Sequence, residues 1–85
     1  MLQFFDKSWE QYLYFKEKNI KVSKKIDNLI KDTLRNPFSG IGKPEPLKNN
    51  LTGYWSKRIT DEHRLVYKYE NNVLMIFSCK YHYAK

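Results

Sequence analysis

Apolar residues follow a helical spacing in the first half of the chain and a strand-like spacing in the second. A short apolar run over residues 2–5 predicts a strand. Ser8 and Gln11 have the form of a capping box, which predicts a helix over residues 8–18. A second helix should end at Pro37, because proline lacks the N–H group that the helix needs. The stripe of this helix that should face the core contains Val22, Ile26, Leu29, Ile30, Thr33 and Leu34.

The second half of the chain predicts a loop followed by three strands. Residues 37–53 hold all three glycines and all three prolines of the chain, which indicates a long surface loop. Strands are predicted over residues 54–59, 64–69 and 73–79, and the last is a continuous apolar run typical of a strand buried on both faces. The tail over residues 80–83 can extend this strand or leave it.

The predicted order of elements is β-α-α-β-β-β, which favours an α+β fold. Two N-terminal helices would pack on one face of a mostly antiparallel sheet. The other face would be free, and a small protein of this kind would place a ligand site there. With 85 residues, we expect one domain over residues 1–85.

The charge of the chain narrows the classes of function. Sixteen Lys and Arg residues against nine Asp and Glu give +7, and the excess is spread over both halves. Such a surface suits nucleic acid or ribosome contact, although many basic domains are charged only for solubility. No apolar stretch is long enough to cross a membrane, and the first residues do not form a secretion signal. A single cysteine, Cys79, excludes an intramolecular disulfide and fits a cytoplasmic protein.

Three common kinds of site are not supported by the sequence. Residues 40–43 lack the spacing of a phosphate-binding loop, and Pro44 follows where that motif needs Ser or Thr. His63 and His82 have no partners at metal-ligand spacing, so no metal or cofactor is expected. Cys79 closes an apolar run, where burial makes a thiol inert.

Metal-free RNA cleavage needs side-chain types that this chain does contain. A base must accept the proton of a ribose 2′-hydroxyl, an acid must protonate the departing 5′-oxygen, and cations must absorb charge at phosphorus. A carboxylate and an imidazole suit the first two tasks, and Arg and Lys suit the third. Taken singly, each residue is equally explained as a solvated surface side chain. The candidates are Glu45, Lys48, Arg58, Arg64, His82 and Tyr83.

Longer segments of the chain resemble a known family. Gly-Lys-Pro-Glu-Pro-Leu-Lys over residues 42–48, Glu-His-Arg-Leu-Val-Tyr over residues 62–67 and the Tyr-His-Tyr ending over residues 81–83 are similar to the YoeB toxins. These form the Txe/YoeB branch of the RelE/ParE superfamily. The resemblance spans nearly the entire chain, and the first two blocks together are highly specific.

The resemblance implies a RelE-like fold, similar to microbial ribonucleases, and the toxin of a type II toxin–antitoxin pair. Such toxins bind the ribosomal A site and cleave translated mRNA, leaving a cyclic phosphate, without a metal. The partners implied are a YefM-like antitoxin, the ribosome with its mRNA, and a second copy of the toxin.

The family motif also implies a role for each matching residue. Glu45 would be the general base and His82 the general acid. Arg64 would stabilise the transition state, Lys48 would assist at the phosphate, and Tyr83 would orient the scissile nucleotide. The cations expected to contact RNA are Lys43, Lys57 and Arg58.

The end of the chain departs from the family pattern. Family members often stop at the terminal tyrosine, whereas Ala84 and Lys85 follow it here, so no terminal carboxylate is expected beside the site. The alternative function is a relative that does not cleave and instead binds the ribosome or a topoisomerase.

Overall fold

The computed structural model describes residues 1–82 as two helices packed on one face of a five-stranded sheet. The strand order is β1-β5-β4-β3-β2, and every neighbouring pair is antiparallel except β1 with β5, which is parallel. The predicted α+β fold is therefore confirmed. The elements are β1 (Leu2–Phe4), α1 (Asp6–Lys18), α2 (Ile20–Arg35), β2 (Glu45–Pro46), a 3-10 helix (Asn49–Leu51), β3 (Trp55–Arg58), β4 (Arg64–Glu70) and β5 (Val73–Ser78).

The second helix follows its predicted pattern. Asn19 ends α1 and also caps α2, since its side-chain oxygen accepts a hydrogen bond from the Val22 amide at 3.2 Å. The helix stops at Arg35, two residues before Pro37. Of the predicted stripe, all but Leu34 are buried. The hydrophobic period therefore predicted this element and its buried face.

The predicted capping box at Ser8 is wrong. The first helix begins at Asp6, and no side chain caps it. Ser8 is buried instead, with its hydroxyl oxygen 2.6 Å from the carbonyl oxygen of Ile76 and 2.9 Å from that of Phe5. The Ser8 hydroxyl thus bonds to β5 and does not cap the helix as the capping box would require.

The main core lies between the helices and the sheet, and it joins Phe15 and the buried residues of α2 to residues of β4 and β5. In β5, Leu74 and Ile76 are fully buried, whereas Val73 and Met75 are only partly covered. The prediction of a strand buried on both faces is therefore wrong. The far face lies away from α1 and α2, and we call it the open face, although Ser56 and Val66 are buried on it.

Candidate active site

The loop that leads to Glu45 is held against β3 by a hydrogen bond at Gly42, which we call the Gly42 clamp. The carbonyl of Gly42 accepts a hydrogen bond from the Arg58 amide at 2.7 Å. Its φ is +87°, and an added Cβ would lie 2.8 Å from Leu29 and 2.9 Å from Lys57, so only glycine fits this approach. The following residues form β2, where Glu45 pairs with Ser56.

The strand register places three of the predicted residues on the open face. Paired residues of neighbouring strands point to the same side, and Glu45, Ser56 and Val66 are successive partners across β2, β3 and β4. Arg58 and Arg64 also pair with each other. Each is two residues from Ser56 or Val66 on its own strand, so both lie on that same side. Two strand spacings, roughly 10 Å, separate the Glu45 strand from the Arg64 strand.

The guanidinium of Arg64 is held against the turn that joins β3 to β4. Its Nη1 donates hydrogen bonds to the carbonyl oxygens of Thr60 at 2.6 Å, His63 at 3.1 Å and Asp61 at 3.3 Å. Arg58 forms an ion pair with the carboxylate of Asp61. The Nη1 group of Arg64 is thus fixed, while the other N–H groups of its guanidinium can bond a phosphate.

The chain beyond β5 leaves the sheet and returns to the start of β4. The Cys79 amide donates to the side-chain oxygen of Gln11 at 2.8 Å, and the Arg64 amide donates to the Tyr81 carbonyl at 3.0 Å. The Nε2–H of His82 then donates to the Asp61 carbonyl at 3.0 Å, because a carbonyl can only accept. His82 and Arg64 therefore meet at the same carbonyl oxygen.

His63 is a residue that we missed as part of the site. Its ring is buried, and its Nδ1 accepts a hydrogen bond from the Tyr81 amide at 2.8 Å. Burial lowers the pKa of this imidazole below its ordinary value, with a smaller opposing effect of the Glu62 carboxylate. The signal in the sequence was its position directly before Arg64. Neighbouring residues on a strand face opposite sides, so His63 lies on the helix side when Arg64 lies on the open face.

Lys57 is not available to RNA, which corrects the prediction for this residue. Its side chain is fully buried on the helix side of the sheet, where Nζ lies 3.3 Å from the Asp32 carboxylate and 3.2 Å from the Asn36 carbonyl. Alternation along β3 explains the outcome, since Arg58 and Lys57 must face opposite sides. Asp32 also accepts the Ile41 amide at 3.0 Å, so the pair braces the loop that leads to Glu45.

The remaining predicted residues lie on the loop, on β2 or beyond the described part of the chain. Lys43, Glu45 and Lys48 are exposed on the loop and β2, beside the open face. Tyr83 lies outside the described residues, as does the extension that follows it. The structure therefore joins Arg58, Arg64 and His82 around Asp61, and the register places Glu45 on the same face as the two arginines.

A cleft beside His82 continues from this site. It is lined by residues of α1, among them Glu10, and by Phe77, Ser78 and the tail that follows. The ammonium of Lys80 lies 3.8 Å from the centroid of the Tyr14 ring, a cation–π contact that holds a positive charge at the cleft. Lys7 adds a second cation.

Within residues 1–82, no group of three His, Cys, Asp or Glu side chains is arranged to hold a metal ion. The two helices in this part of the chain are also not long and apolar enough to cross a membrane.

Two helices packed on one face of a mixed five-stranded sheet of order β1-β5-β4-β3-β2 form the fold of the RelE-like toxins. Residues 4–83 match the family model of the YoeB-like toxins of bacterial type II toxin–antitoxin systems. The chain is 58% identical over 78 residues to toxin YoeB of Escherichia coli K12, covering 92% of this chain and 93% of that protein. The chain therefore belongs to the YoeB-like toxins.

Solved structures agree with this assignment. A YoeB–YefM complex from Staphylococcus aureus contains a chain with a TM-score of 0.92 and 52% identity, covering 98% of this chain and 97% of that one. A YoeB dimer from Staphylococcus aureus gives a TM-score of 0.89 and 52% identity, covering 96% and 95%. The fold and the sequence blocks thus point to one family.

Proposed function

We propose that this toxin is a ribosome-dependent endoribonuclease that cuts translated mRNA by metal-free acid–base chemistry. The observation that carries the proposal is the meeting of His82 and Arg64 at the Asp61 carbonyl, with Glu45 on the open face that Arg64 shares. A base, an acid and a cation are the groups that such cleavage requires.

In the proposed reaction, the Glu45 carboxylate accepts the proton of a ribose 2′-hydroxyl. The 2′-oxygen then bonds to phosphorus, and the bond from phosphorus to the 5′-oxygen breaks. His82 donates its Nε2 proton to that departing oxygen, which leaves a 2′,3′-cyclic phosphate and a 5′-hydroxyl. Arg64 and Lys48 stabilise the negative charge that develops on the phosphorus oxygens, and Tyr83 is expected to orient the nucleotide.

The RNA strand would follow the cationic side of the molecule. Lys43 and Arg58 are exposed and line one pocket together, while Lys80 and His82 line another cleft. Lysines attract phosphates, while tyrosine rings such as that of Tyr14 can stack on bases. The formal charge of +7 supports the same partner.

The partners proposed for this toxin follow from its relatives. A relative from Staphylococcus aureus is solved in complex with YefM and another as a dimer, so we expect a YefM-like antitoxin and self-association here. A basic surface suits an acidic antitoxin segment. Action on translated mRNA also requires the ribosome and a cytoplasmic location.

The direct test is to add the purified toxin to ribosomes that carry a defined mRNA and to map the cut ends. We expect ribosome-dependent cuts that end in a cyclic phosphate, and no cut where the scissile ribose lacks its 2′-hydroxyl. Intact transcripts on ribosomes, at concentrations where the toxin halts translation, would instead favour the non-cleaving binder.

A further inference from the structure

The buried imidazole of His63 contacts the tail that carries His82. His63 is 8% exposed, and its ring packs edge-on against Phe15, with ring centroids 4.9 Å apart, while the Tyr81 ring lies at 5.8 Å. It lies on the side of β4 away from the open face, since its neighbour Arg64 is on that face. His63 is therefore not placed to touch an RNA substrate on the open face.

Both backbone polar groups of Tyr81 are bonded to residues at the start of β4. The Tyr81 amide donates to His63 Nδ1 at 2.8 Å, and the Tyr81 carbonyl accepts from the Arg64 amide at 3.0 Å. Tyr81 itself has a φ of +64°, a left-handed conformation that a bulky residue adopts only when its surroundings enforce it. These two bonds fix the backbone of Tyr81 at both of its polar groups.

The next residue along the tail is the proposed acid. His82 is exposed, and its imidazole reaches the Asp61 carbonyl at 3.0 Å. Because a change at Tyr81 shifts the backbone of its neighbour directly, loss of the His63 bond would move the imidazole of His82 away from Arg64. A displacement of about 1 Å at a reacting group can cost ~10²-fold in rate.

We propose that His63 is a positioning residue that holds His82 in place through the Tyr81 amide, an inference that rests on the proposed function for its catalytic consequence. We call the bond between His63 Nδ1 and the Tyr81 amide the tail latch. The latch needs the Nδ1 lone pair, so it forms only when His63 is neutral.

The tail latch should open in acid. Burial lowers the pKa of His63 in the folded protein, and the nearby Lys80 and His82 side chains add to this effect, whereas Glu62 opposes it. A histidine with a lowered folded pKa stabilises the fold above its unfolded pKa of about 6.5 and loses that stabilisation as pH falls through the folded value. The titratable groups that face the ring are Tyr14, Lys18, Glu62, Lys80, Tyr81 and His82.

The first experiment compares His63→Leu, which removes the acceptor, with His63→Asn, whose side-chain oxygen can take the place of Nδ1. We expect kcat for cleavage on ribosomes to fall about 10- to 100-fold in His63→Leu with little change in KM, and His63→Asn to recover most of it. In a His82→Ala background, His63→Leu should cost nothing further. An equal loss in that background would show that His63 does not act through His82.

The second experiment needs no RNA, so it separates the latch from the proposed function. In the wild-type protein, the NMR signal of the Tyr81 amide should shift with the titration of His63 and be protected from hydrogen exchange above that pKa. An amide that exchanges freely at neutral pH, or that does not respond to His63, would overturn the latch. A protected, responsive amide in a protein that fails to cut mRNA would uphold the latch and refute the proposed function.

Discussion

The proposed base and the proposed acid are held in place by two different means. Glu45 lies on a strand, where pairing with Ser56 and the clamp at Gly42 fix its backbone. His82 lies beyond the last strand, and a few single hydrogen bonds from Gln11, His63 and Arg64 dock its tail. The two sides should therefore respond differently: a change at Gly42 should lower the stability of the fold, whereas loss of one tail bond should slow cleavage while the fold persists.

The largest effect should come from the two reacting groups themselves. Glu45→Gln and His82→Gln should each lower the single-turnover cleavage rate by ~10²–10⁴-fold, because each removes one proton transfer. Both side chains are exposed, so the melting temperature should stay unchanged. Glu17→Gln, an exposed acid on α1, serves as the control. Cleavage at the parent rate by either variant would contradict its assigned role.

The attachment of the Glu45 loop to β3 can be disrupted at Gly42. Gly42→Ala should lower the free energy of unfolding by about 2–4 kcal/mol, since the added Cβ meets Leu29 and Lys57 in a left-handed backbone. Gly53→Ala is the matched control, because that glycine has a φ of +95° but no atom within 4 Å of an added Cβ. It should cost only about 1–2 kcal/mol. Equal losses in urea unfolding would show that the close approach is unimportant.

The corrected role of Lys57 can be tested against Lys43. Lys57→Met should lower the free energy of unfolding by about 1–3 kcal/mol, because Asp32 and the Asn36 carbonyl lose their buried donor. Lys43→Met should leave stability within about 0.5 kcal/mol. It should instead reduce the salt dependence of RNA binding by about one phosphate contact. The reverse pattern would restore Lys57 as an RNA contact.

The smallest effect is expected on the tail side at Gln11. Gln11→Leu removes the acceptor of the Cys79 amide and should slow cleavage about three- to tenfold by loosening the tail. Gln3→Leu, an exposed glutamine on β1, should leave the rate unchanged. Rates are compared per folded molecule, measured by circular dichroism. An unchanged rate in Gln11→Leu would mean that the other bonds suffice to dock the tail.

Elements governed by local chemistry were predictable from the sequence. The stripe of α2 and its end before Pro37 follow from helical period and proline geometry. The turn after Glu70 uses Asn71 and Asn72, both with positive φ, as a two-residue hairpin prefers.

Features set by tertiary contacts were not predictable in the same way. The hydroxyl of Ser8 bonds to β5 rather than capping a helix, and Lys57 pairs with a carboxylate from α2. The two-residue strand at Glu45 exists only because β3 lies beside it. Residue types could thus suggest the chemistry of the site, whereas the face on which each side chain lies required the register.

The parallel pairing of β1 with β5 has a consequence for how the toxin is made. Leu2 pairs with Leu74, and the Leu74 amide bonds to the Met1 carbonyl. The strand β1 can therefore pair with β5 only after β5 has been synthesised. Contacts this distant along the chain form late, because a long loop must close before they contribute. During synthesis, β1 therefore lacks its parallel partner, and the five-stranded sheet can be completed only after β5 has been made.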